Sequence, residues 1–429
     1  MTILSETQRI KLAKRLDEYL GRCFILLMAP SSASSTQRNP TTAVRRILLV
    51  KFWGIGSIIL AEPALRYLRR KFPEAQIDFL TLAQNRELFA LIPHVDQVFA
   101  LDFKHLGKFV LSAMQLIAQL RRQKYDLIFD AEFFANFSTL VARLLKPRRL
   151  IGFSRPHSVK NRLLDLAVPF DDDEHAARNF FRLIEAGAGD ESSQCEKNIL
   201  PRLVLPFARA KKWRPTVIMN INASALALER RWPQERFVHL AKWLLRRYEL
   251  EMILIGSRPE KKYTQAVAQA LASPARVHDL AGALTLIELA ELISHASLVI
   301  SNDSGPLHLA AALQKPVVGF YGPETPKRFG PLCDTRLIFY LGLPCSPCMS
   351  VDNAKTVNCT NNRRCMLDLT VGMVIPRLQQ FIDEKELLPR RVIGSEIKVE
   401  EVIPLQECHS ERIFFPASTV LGQNKILSE

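Results

Sequence analysis

Two glycine-containing turns carry most of the polar side chains that are suited to chemistry. The first turn, in KFWGIGSIIL, follows the apolar run RILLV. The second, SNDSGPLH, follows an apolar run that ends at Ile300. In both, a buried strand leads through a polar turn into a helix, whose first N–H groups attract phosphate. The alternative for the second turn is an ordinary helix cap with a packed histidine. The pattern predicts a site for a phosphate-bearing ligand.

Individual residues of these turns suggest how such a ligand would be held. In the second turn, Gly305 lets the backbone approach closely, Ser304 can donate to a phosphate oxygen, and His308 lies one helical turn further on. In the first turn, Gly54 and Gly56 allow a similar approach. Lys51, just before that turn, is expected to attract phosphate, although a lysine at a strand end is often merely solvated.

Four cysteines near the end of the chain follow the pattern C-x2-C, ten residues, then C-x5-C: Cys345, Cys348, Cys359 and Cys365. This spacing is similar to that of metal ligands. A structural metal, a disulfide and reduced thiols remain alternatives. No carboxylate or histidine of an open site lies nearby in the sequence, so any metal held here is expected to be structural.

The elements that must position these residues alternate regularly between strand and helix. Such repeated β–α units predict a parallel sheet with helices on both faces, and the series occurs twice. We therefore predict an α/β protein with two doubly wound domains, spanning residues 45–205 and 206–387. Residues 1–44 form an N-terminal extension and linker, and residues 388–429 a polar tail. Ligands are expected in a cleft at the carboxyl ends of the strands.

The charge balance points to an anionic partner. Lys and Arg number 58 against 43 Asp and Glu, which gives a net charge of +15. No nucleic-acid motif accompanies the charge, so a membrane surface or an anionic substrate is favoured over nucleic acid. No run reaches the roughly 18 apolar residues of a spanning helix. A basic N-terminal helix lying on a membrane, or an unordered extension, fits the first residues, with a broad apolar face formed by Ile10, Leu12, Leu16 and Leu20.

Four separated stretches, in the same order, resemble glycosyltransferase family nine, the ADP-heptose:lipopolysaccharide heptosyltransferases. They are PALRYLRRKFPEAQID, RRWPQERFVHLAKWL, LAGALTLIELAELI, and DSGPLHLAAAL with KPVVGFYGP; the similarity runs from about Arg46 to Leu369. The resemblance implies two Rossmann-like domains of the GT-B type. It also implies that no metal is required, that the second domain binds the nucleotide sugar, and that the first takes the acceptor.

Carried over by position, the resemblance assigns donor-binding roles to several residues. Arg230 stands where the family often has a lysine that meets the phosphate or sugar, and an arginine there keeps the charge. Leu284 would pack near the nucleotide base. The donor's diphosphate and sugar would contact the second turn, at Asp303, Ser304, Gly305 and His308.

One departure from the family concerns the catalytic base. The first glycine turn of these heptosyltransferases commonly ends in an aspartate, the expected base for the acceptor hydroxyl, whereas this chain has Ser57. Serine alone is too weak a base at neutral pH. Glu132, followed by Asp130, is the favoured substitute, because both lie at the end of a neighbouring predicted strand. The alternatives are a chain that only binds the donor, and a reaction that needs little base assistance.

These inferences predict an inverting glycosyltransferase. Its expected reaction moves heptose from ADP-heptose onto a lipopolysaccharide core or a related surface glycan. The alternatives are a relative that uses another nucleotide sugar and acceptor, and a binding-only protein. With no clear export signal, we expect the chain in the cytoplasm, peripheral on the inner face of the inner membrane.

Overall fold

The computed structural model describes residues 17–28, 43–102, 106–189, 199–206, 214–223, 227–350, 357 and 359–391. Within these residues the chain divides into two compact units, between Ile199 and Leu200. The tail from residue 392 onward lies outside the described residues. The same holds for Ile10, Leu12 and Leu16 of the expected N-terminal apolar face, and only the backbone of Leu20 is described.

The first unit contains a six-stranded sheet in the order β3-β2-β1-β4-β5-β6, with every pair of neighbours parallel. The four inner strands are almost continuously buried, as expected when helices cover both faces, whereas the two edge strands β3 and β6 are only partly buried. Chain order reverses between β1 and β4, which is where ligands of such sheets usually bind. The strands are β1 (Arg46–Val50), β2 (Gln76–Leu82), β3 (Gln97–Leu101), β4 (Leu127–Asp130), β5 (Arg149–Ser154) and β6 (Leu166–Pro169).

Among the described residues, this unit contains six helices: α1 (Arg22–Met28), α2 (Ile55–Leu60), α3 (Glu62–Lys71), α4 (Leu106–Arg122), α5 (Asn136–Leu144) and α6 (Ala176–Ala188). Short π- or 3-10-helical segments are Asp17–Gly21, Ala83–Leu91 and Val159–Leu163. The sequence predicts one continuous helix from Ser57 onward, and this is wrong, because the helix breaks at Ala61. Pro63 explains the break, since it lacks the N–H that would continue the hydrogen-bond ladder.

The second unit repeats the topology, with strand order β12-β11-β10-β7-β8-β9 and parallel pairing throughout. Chain order reverses between β7 and β10. The strands are β7 (Thr216–Asn220), β8 (Glu251–Leu254), β9 (Val277–Asp279), β10 (Leu298–Asn302), β11 (Val317–Tyr321) and β12 (Arg336–Tyr340). The prediction of two doubly wound sheets is therefore confirmed.

The described part of this unit contains short helical turns at Leu228–Arg230 and Arg258–Glu260. It also contains seven helices: α7 (Gln234–Arg247), α8 (Lys261–Leu271), α9 (Leu286–His295), α10 (Gly305–Ala312), α11 (Pro326–Phe329), α12 (Arg364–Leu367) and α13 (Val371–Glu384). The core contains Trp232, which stacks on Phe320 at a ring distance of 4.5 Å. Within the described chain, no helix combines the length and apolar character that crossing a membrane requires.

Candidate functional site

The reversal point of the second sheet is built from polar residues at the ends of β7 and β10. Asn220 Nδ2 donates to Ser301 Oγ at 3.0 Å and to Ser304 Oγ at 2.8 Å, which joins the two strand ends. Asn302 Nδ2 donates to the carbonyl of Ile221 at 2.9 Å. These side chains are buried or nearly so, and the bonds fix the turn that precedes α10.

Helix α10 begins in a way that suits an anion. Ser304 occupies the cap position in an extended conformation, but its side chain makes no capping hydrogen bond. Its hydroxyl is instead engaged by Asn220 and Ser301. Pro306 stands in the first turn, where its missing N–H costs nothing. The Ser304 side chain therefore does not occupy the N–H groups of the first turn, although the Leu307 N–H donates to the Ser304 carbonyl at 3.2 Å. Such a helix start suits phosphate oxygens.

A cation lies beside this helix start. Arg230 Nη1 is 3.3 Å from Asp303 Oδ2, and His308 Nε2 is 3.9 Å from the other oxygen of the same carboxylate. The Arg230 side chain retains 16% exposure, whereas Asp303 and His308 are buried. Asp303 thus holds the Arg230 guanidinium at the end of β10, and the His308 imidazole lies near the same carboxylate.

Trp232 explains why Arg230 is held there. Its backbone N–H donates to Asn302 Oδ1 at 3.0 Å, and its indole Nε1–H donates to the carbonyl of Leu369 at 2.7 Å. The ring is fully buried. Arg230 lies two residues before Trp232, so these two bonds also hold Arg230 near the end of β10.

The structure brings Arg230, Asp303, Ser304, Gly305 and His308 together at the end of β10. Leu284 is partly buried in the loop between β9 and α9. Its expected packing near the nucleotide base stays a prediction.

The first glycine turn lies at the reversal point of the first sheet. Gly54 has φ of +86°, a conformation that favours glycine, and Gly56 and Ser57 already belong to α2. A Cβ at position 54 would lie 3.3 Å from Ser57 Oγ. Ser57 is 7% exposed. The serine therefore packs against the turn itself.

Glu132 holds this turn in place. Its Oε1 accepts hydrogen bonds from the backbone N–H groups of Phe52 at 2.6 Å and Trp53 at 2.7 Å. Its other oxygen lies 3.4 Å from Lys51 Nζ, and both charged side chains are fully buried. Burial lowers the pKa of Lys51, and the Glu132 charge opposes that shift. The ammonium also lies 4.4 Å from the centre of the Phe133 ring.

Asp130 is equally enclosed. Thr139 donates its hydroxyl to the Asp130 carboxylate, Lys160 Nζ lies 3.4 Å from it, and the Glu132 N–H donates to it at 3.2 Å. Lys160 also donates to the Glu132 carbonyl at 2.7 Å. Both predicted base candidates are thus fully buried parts of a charged cluster behind the turn. Their catalytic role stays a prediction, and the geometry gives both a structural role.

Asp17 was not singled out by the sequence analysis. Its carboxylate accepts hydrogen bonds from the N–H groups of Asn136 at 2.9 Å and Phe137 at 2.6 Å, at the start of α5. Burial raises its pKa to about 6, although these two bonds act in the opposite direction. A Cβ at Gly21 would lie 2.9 Å from Asn136 Cβ and 3.0 Å from Asp17 Oδ1. The local sequence DEYLG contains no signal for this long-range contact.

The four clustered cysteines are free thiols. Arg363 N donates to Cys359 Sγ at 3.1 Å. Burial raises the pKa of Cys365 to about 11, and the other three thiols add to the shift. In the part of the chain that the structure describes, no three histidine, cysteine, aspartate or glutamate side chains are arranged to hold a metal ion. The three other thiols lie close enough to act on Cys365, and the structural-metal alternative stays a prediction.

Comparisons with known proteins agree with this architecture. Residues 113–357 match the family described as glycosyltransferase family 9 (heptosyltransferase). Lipooligosaccharide heptosyltransferase 2 of Haemophilus ducreyi is 27% identical over 321 residues, which cover 69% of this chain and 88% of the relative. Two solved structures share the fold. The first is E. coli ADP-heptose lps heptosyltransferase II, with a TM-score of 0.62 and 21% identity; the match covers 80% of this chain and 99% of that structure. E. coli heptosyltransferase WaaC with ADP has a TM-score of 0.61 at 18% identity, covering 78% and 99%.

Proposed function

The chain belongs to glycosyltransferase family 9, and we propose that it transfers heptose from ADP-heptose to a lipopolysaccharide core or a related surface glycan. The transfer inverts the anomeric centre and needs no metal. The second unit binds the nucleotide sugar, and the first unit binds the acceptor. The names of the curated relative and of the solved heptosyltransferases support the choice of donor and acceptor.

One observation carries the donor assignment: the start of α10, where Arg230 and His308 flank a first turn that the Ser304 side chain does not cap. Negative charge grows on the diphosphate as the bond to the sugar breaks. A fixed guanidinium and oriented N–H groups stabilise that charge without reorganising in the transition state. The same groups would substitute for a divalent cation on the leaving group.

The alternative is a family member with another nucleotide sugar and acceptor, or one that binds the donor without turnover. Ser57, in place of the acid commonly found in the first glycine turn of the family, favours this alternative. Release of ADP that depends on both ADP-heptose and a lipopolysaccharide core acceptor would exclude it. Release from a different donor would retain the family and overturn the heptose assignment.

Arg230→Gln tests the donor site directly. A hydrogen bond to a charged group contributes about 1.5–3 kcal/mol. We therefore expect ADP to bind roughly 10- to 150-fold more weakly, as measured by calorimetry. Arg230→Lys is the matched control, because it keeps the charge and should retain part of the affinity. Unchanged ADP affinity in Arg230→Gln would place the donor elsewhere.

The N-terminal segment supports association with a membrane. Within the described part of this segment, four large apolar side chains are strongly exposed: Tyr19 (70%), Phe24 (53%), Leu26 (45%) and Leu27 (82%). Ile25 on the same helix is fully buried and anchors it to the unit. The net charge of +15 favours an anionic lipid surface. We place the enzyme at the cytoplasmic face of the inner membrane, beside a lipid-borne acceptor.

A further inference from the structure

The first unit needs a group that accepts a proton, and the serine of its glycine turn does not supply one. In the proposed transfer, the acceptor hydroxyl oxygen forms a bond to the anomeric carbon while the bond from that carbon to the ADP oxygen breaks. ADP leaves with the electron pair, and the hydroxyl proton must pass to a base. Ser57 is a poor base and is packed against Gly54.

Glu132 and Asp130 are poorly placed for this task. Each is fully buried, and the acceptor sites of their carboxylates are occupied by backbone N–H groups, a hydroxyl or a buried ammonium. Removing either from its partners to meet a substrate would leave Lys51 or Lys160 as an uncompensated buried cation, a change that is strongly destabilising.

Asp17 is placed differently. It is only partly buried, and it sits at the start of α5, the helix that follows β4. The first glycine turn follows β1, so both lie at the reversal point of the sheet. The Phe137 ring, next to the Asp17 contact, packs on Phe52 with 5.7 Å between ring centres. Two backbone N–H groups occupy only part of the capacity of a carboxylate, which has about four lone-pair positions.

We propose that the Asp17 carboxylate is the catalytic base that takes the proton from the acceptor hydroxyl. This inference rests on the proposed function and adds to it a residue outside the matched family region. The charged side chains that act on Asp17 are Lys160, which lowers its pKa, and Glu132, which raises it; burial is the largest effect and brings the pKa to about 6. Such a carboxylate is ionised at neutral pH yet more basic than an exposed aspartate.

Asp17→Asn tests the catalytic role but does not leave the cap intact. The two capping bonds go to different oxygens, from the Asn136 N–H to Oδ2 and from the Phe137 N–H to Oδ1, so asparagine can accept only one of them. We expect kcat for acceptor-dependent ADP release to fall about 10²- to 10⁴-fold with ADP affinity nearly unchanged, and the melting temperature to fall by a few degrees. The pH profile then separates the catalytic role from the capping role. In the wild type, kcat/KM should decrease as the pH drops below about 6, because Asp17 becomes protonated. The residual activity of the variant should not show this decrease.

Asp126→Asn is a control for a carboxylate with a structural role. At the amino end of β1, Asp126 Oδ2 accepts backbone N–H bonds from Arg45 at 2.8 Å and Arg46 at 3.0 Å, and its Oδ1 lies 3.2 Å from Arg148 Nη1. The Asp126→Asn variant should retain the decrease of kcat/KM below about pH 6. Equal kcat in wild type and Asp17→Asn, or a loss that only parallels a loss of melting temperature as in Asp126→Asn, would refute the inference while leaving the transferase intact. An inactive wild type that binds ADP would instead refute the proposed function, and the inference with it.

Discussion

The substitution Glu132→Gln distinguishes a structural carboxylate from a catalytic one. Both backbone bonds at the first glycine turn go to one oxygen of Glu132, at 2.6 and 2.7 Å. The amide oxygen of glutamine can replace that acceptor. The amide nitrogen would then face the Lys51 ammonium, which lies 3.4 Å from the second carboxylate oxygen. The change therefore removes mainly the partner of a buried cation.

The expected cost follows from the burial of both groups. Breaking a buried ion pair by removing one partner usually destabilises a protein by about 3–5 kcal/mol. Here Lys51 keeps the face of the Phe133 ring at 4.4 Å, and the nearby Asp130 charge still favours its charged form. We therefore expect about 3 kcal/mol, at the lower end of that range. Because burial already lowers the pKa of Lys51, loss of Glu132 should lower it further toward the neutral amine.

Urea denaturation, followed by circular dichroism, measures this loss. With a urea dependence of about 1–3 kcal/mol per molar, the midpoint of the affected unit should move down by about 1–3 M. Arg143→Gln is a suitable control, because its partner Asp165 and Arg143 itself are 38% and 35% exposed. Such an exposed pair contributes at most about 1 kcal/mol. Lys51→Met should destabilise the unit to an extent similar to Glu132→Gln.

The opposite outcome would refute this reasoning. If Glu132→Gln unfolds within about 0.5 kcal/mol of the wild type but loses acceptor-dependent ADP release, Glu132 acts in catalysis. The structural account of the buried pair would then be wrong. The proposal for Asp17 would lose its main motive, since the first unit would already have its base.

Two further changes test the turn and the N-terminal segment. Gly54→Ala places a side chain at φ +86° and should destabilise the protein by about 1–3 kcal/mol in thermal unfolding. Gly372→Ala is the control, because a Cβ there would have its nearest neighbour at 3.8 Å, near the start of α13. This second substitution should be neutral or stabilising. The double variant Phe24→Ser, Leu27→Ser should reduce cosedimentation with anionic lipid vesicles by about tenfold or more, since burying each apolar side chain contributes about 1.5–3 kcal/mol. Equal binding by this variant and the wild type would exclude this surface from lipid contact.

Local sequence patterns predict the fold well because the physics of each element is local. A strand buried on both faces reads as a short apolar run, and a helix that covers it reads as an amphipathic segment. The two series, the parallel sheets and the turns at their reversal points follow from such patterns. The pattern of apolar residues does not predict the break at Ala61, although Pro63 follows it closely. The apolar face continues across the break, since Leu60, Ala64, Leu65 and Leu68 are all buried.

The donor residues could be grouped from sequence only through the family resemblance. Arg230 and Asp303 are 73 positions apart, and their contact depends on Trp232, whose N–H joins the loop before α7 to Asn302 at the end of β10. Leu284 lies in the loop after β9, and its expected packing near the nucleotide base stays a prediction that rests on the resemblance alone.

The two doubly wound units, the two glycine-bearing turns and the serine at position 57 follow from the order of the residues alone. The partners and the burial of each carboxylate follow from the packing of distant segments. Glu132 and Asp130 meet buried lysines, whereas Asp17 reaches the start of α5 across 119 positions of sequence. The physical reason is that the basicity and the accessibility of a carboxylate depend on its desolvation and its neighbours, and both are set by parts of the chain remote from it.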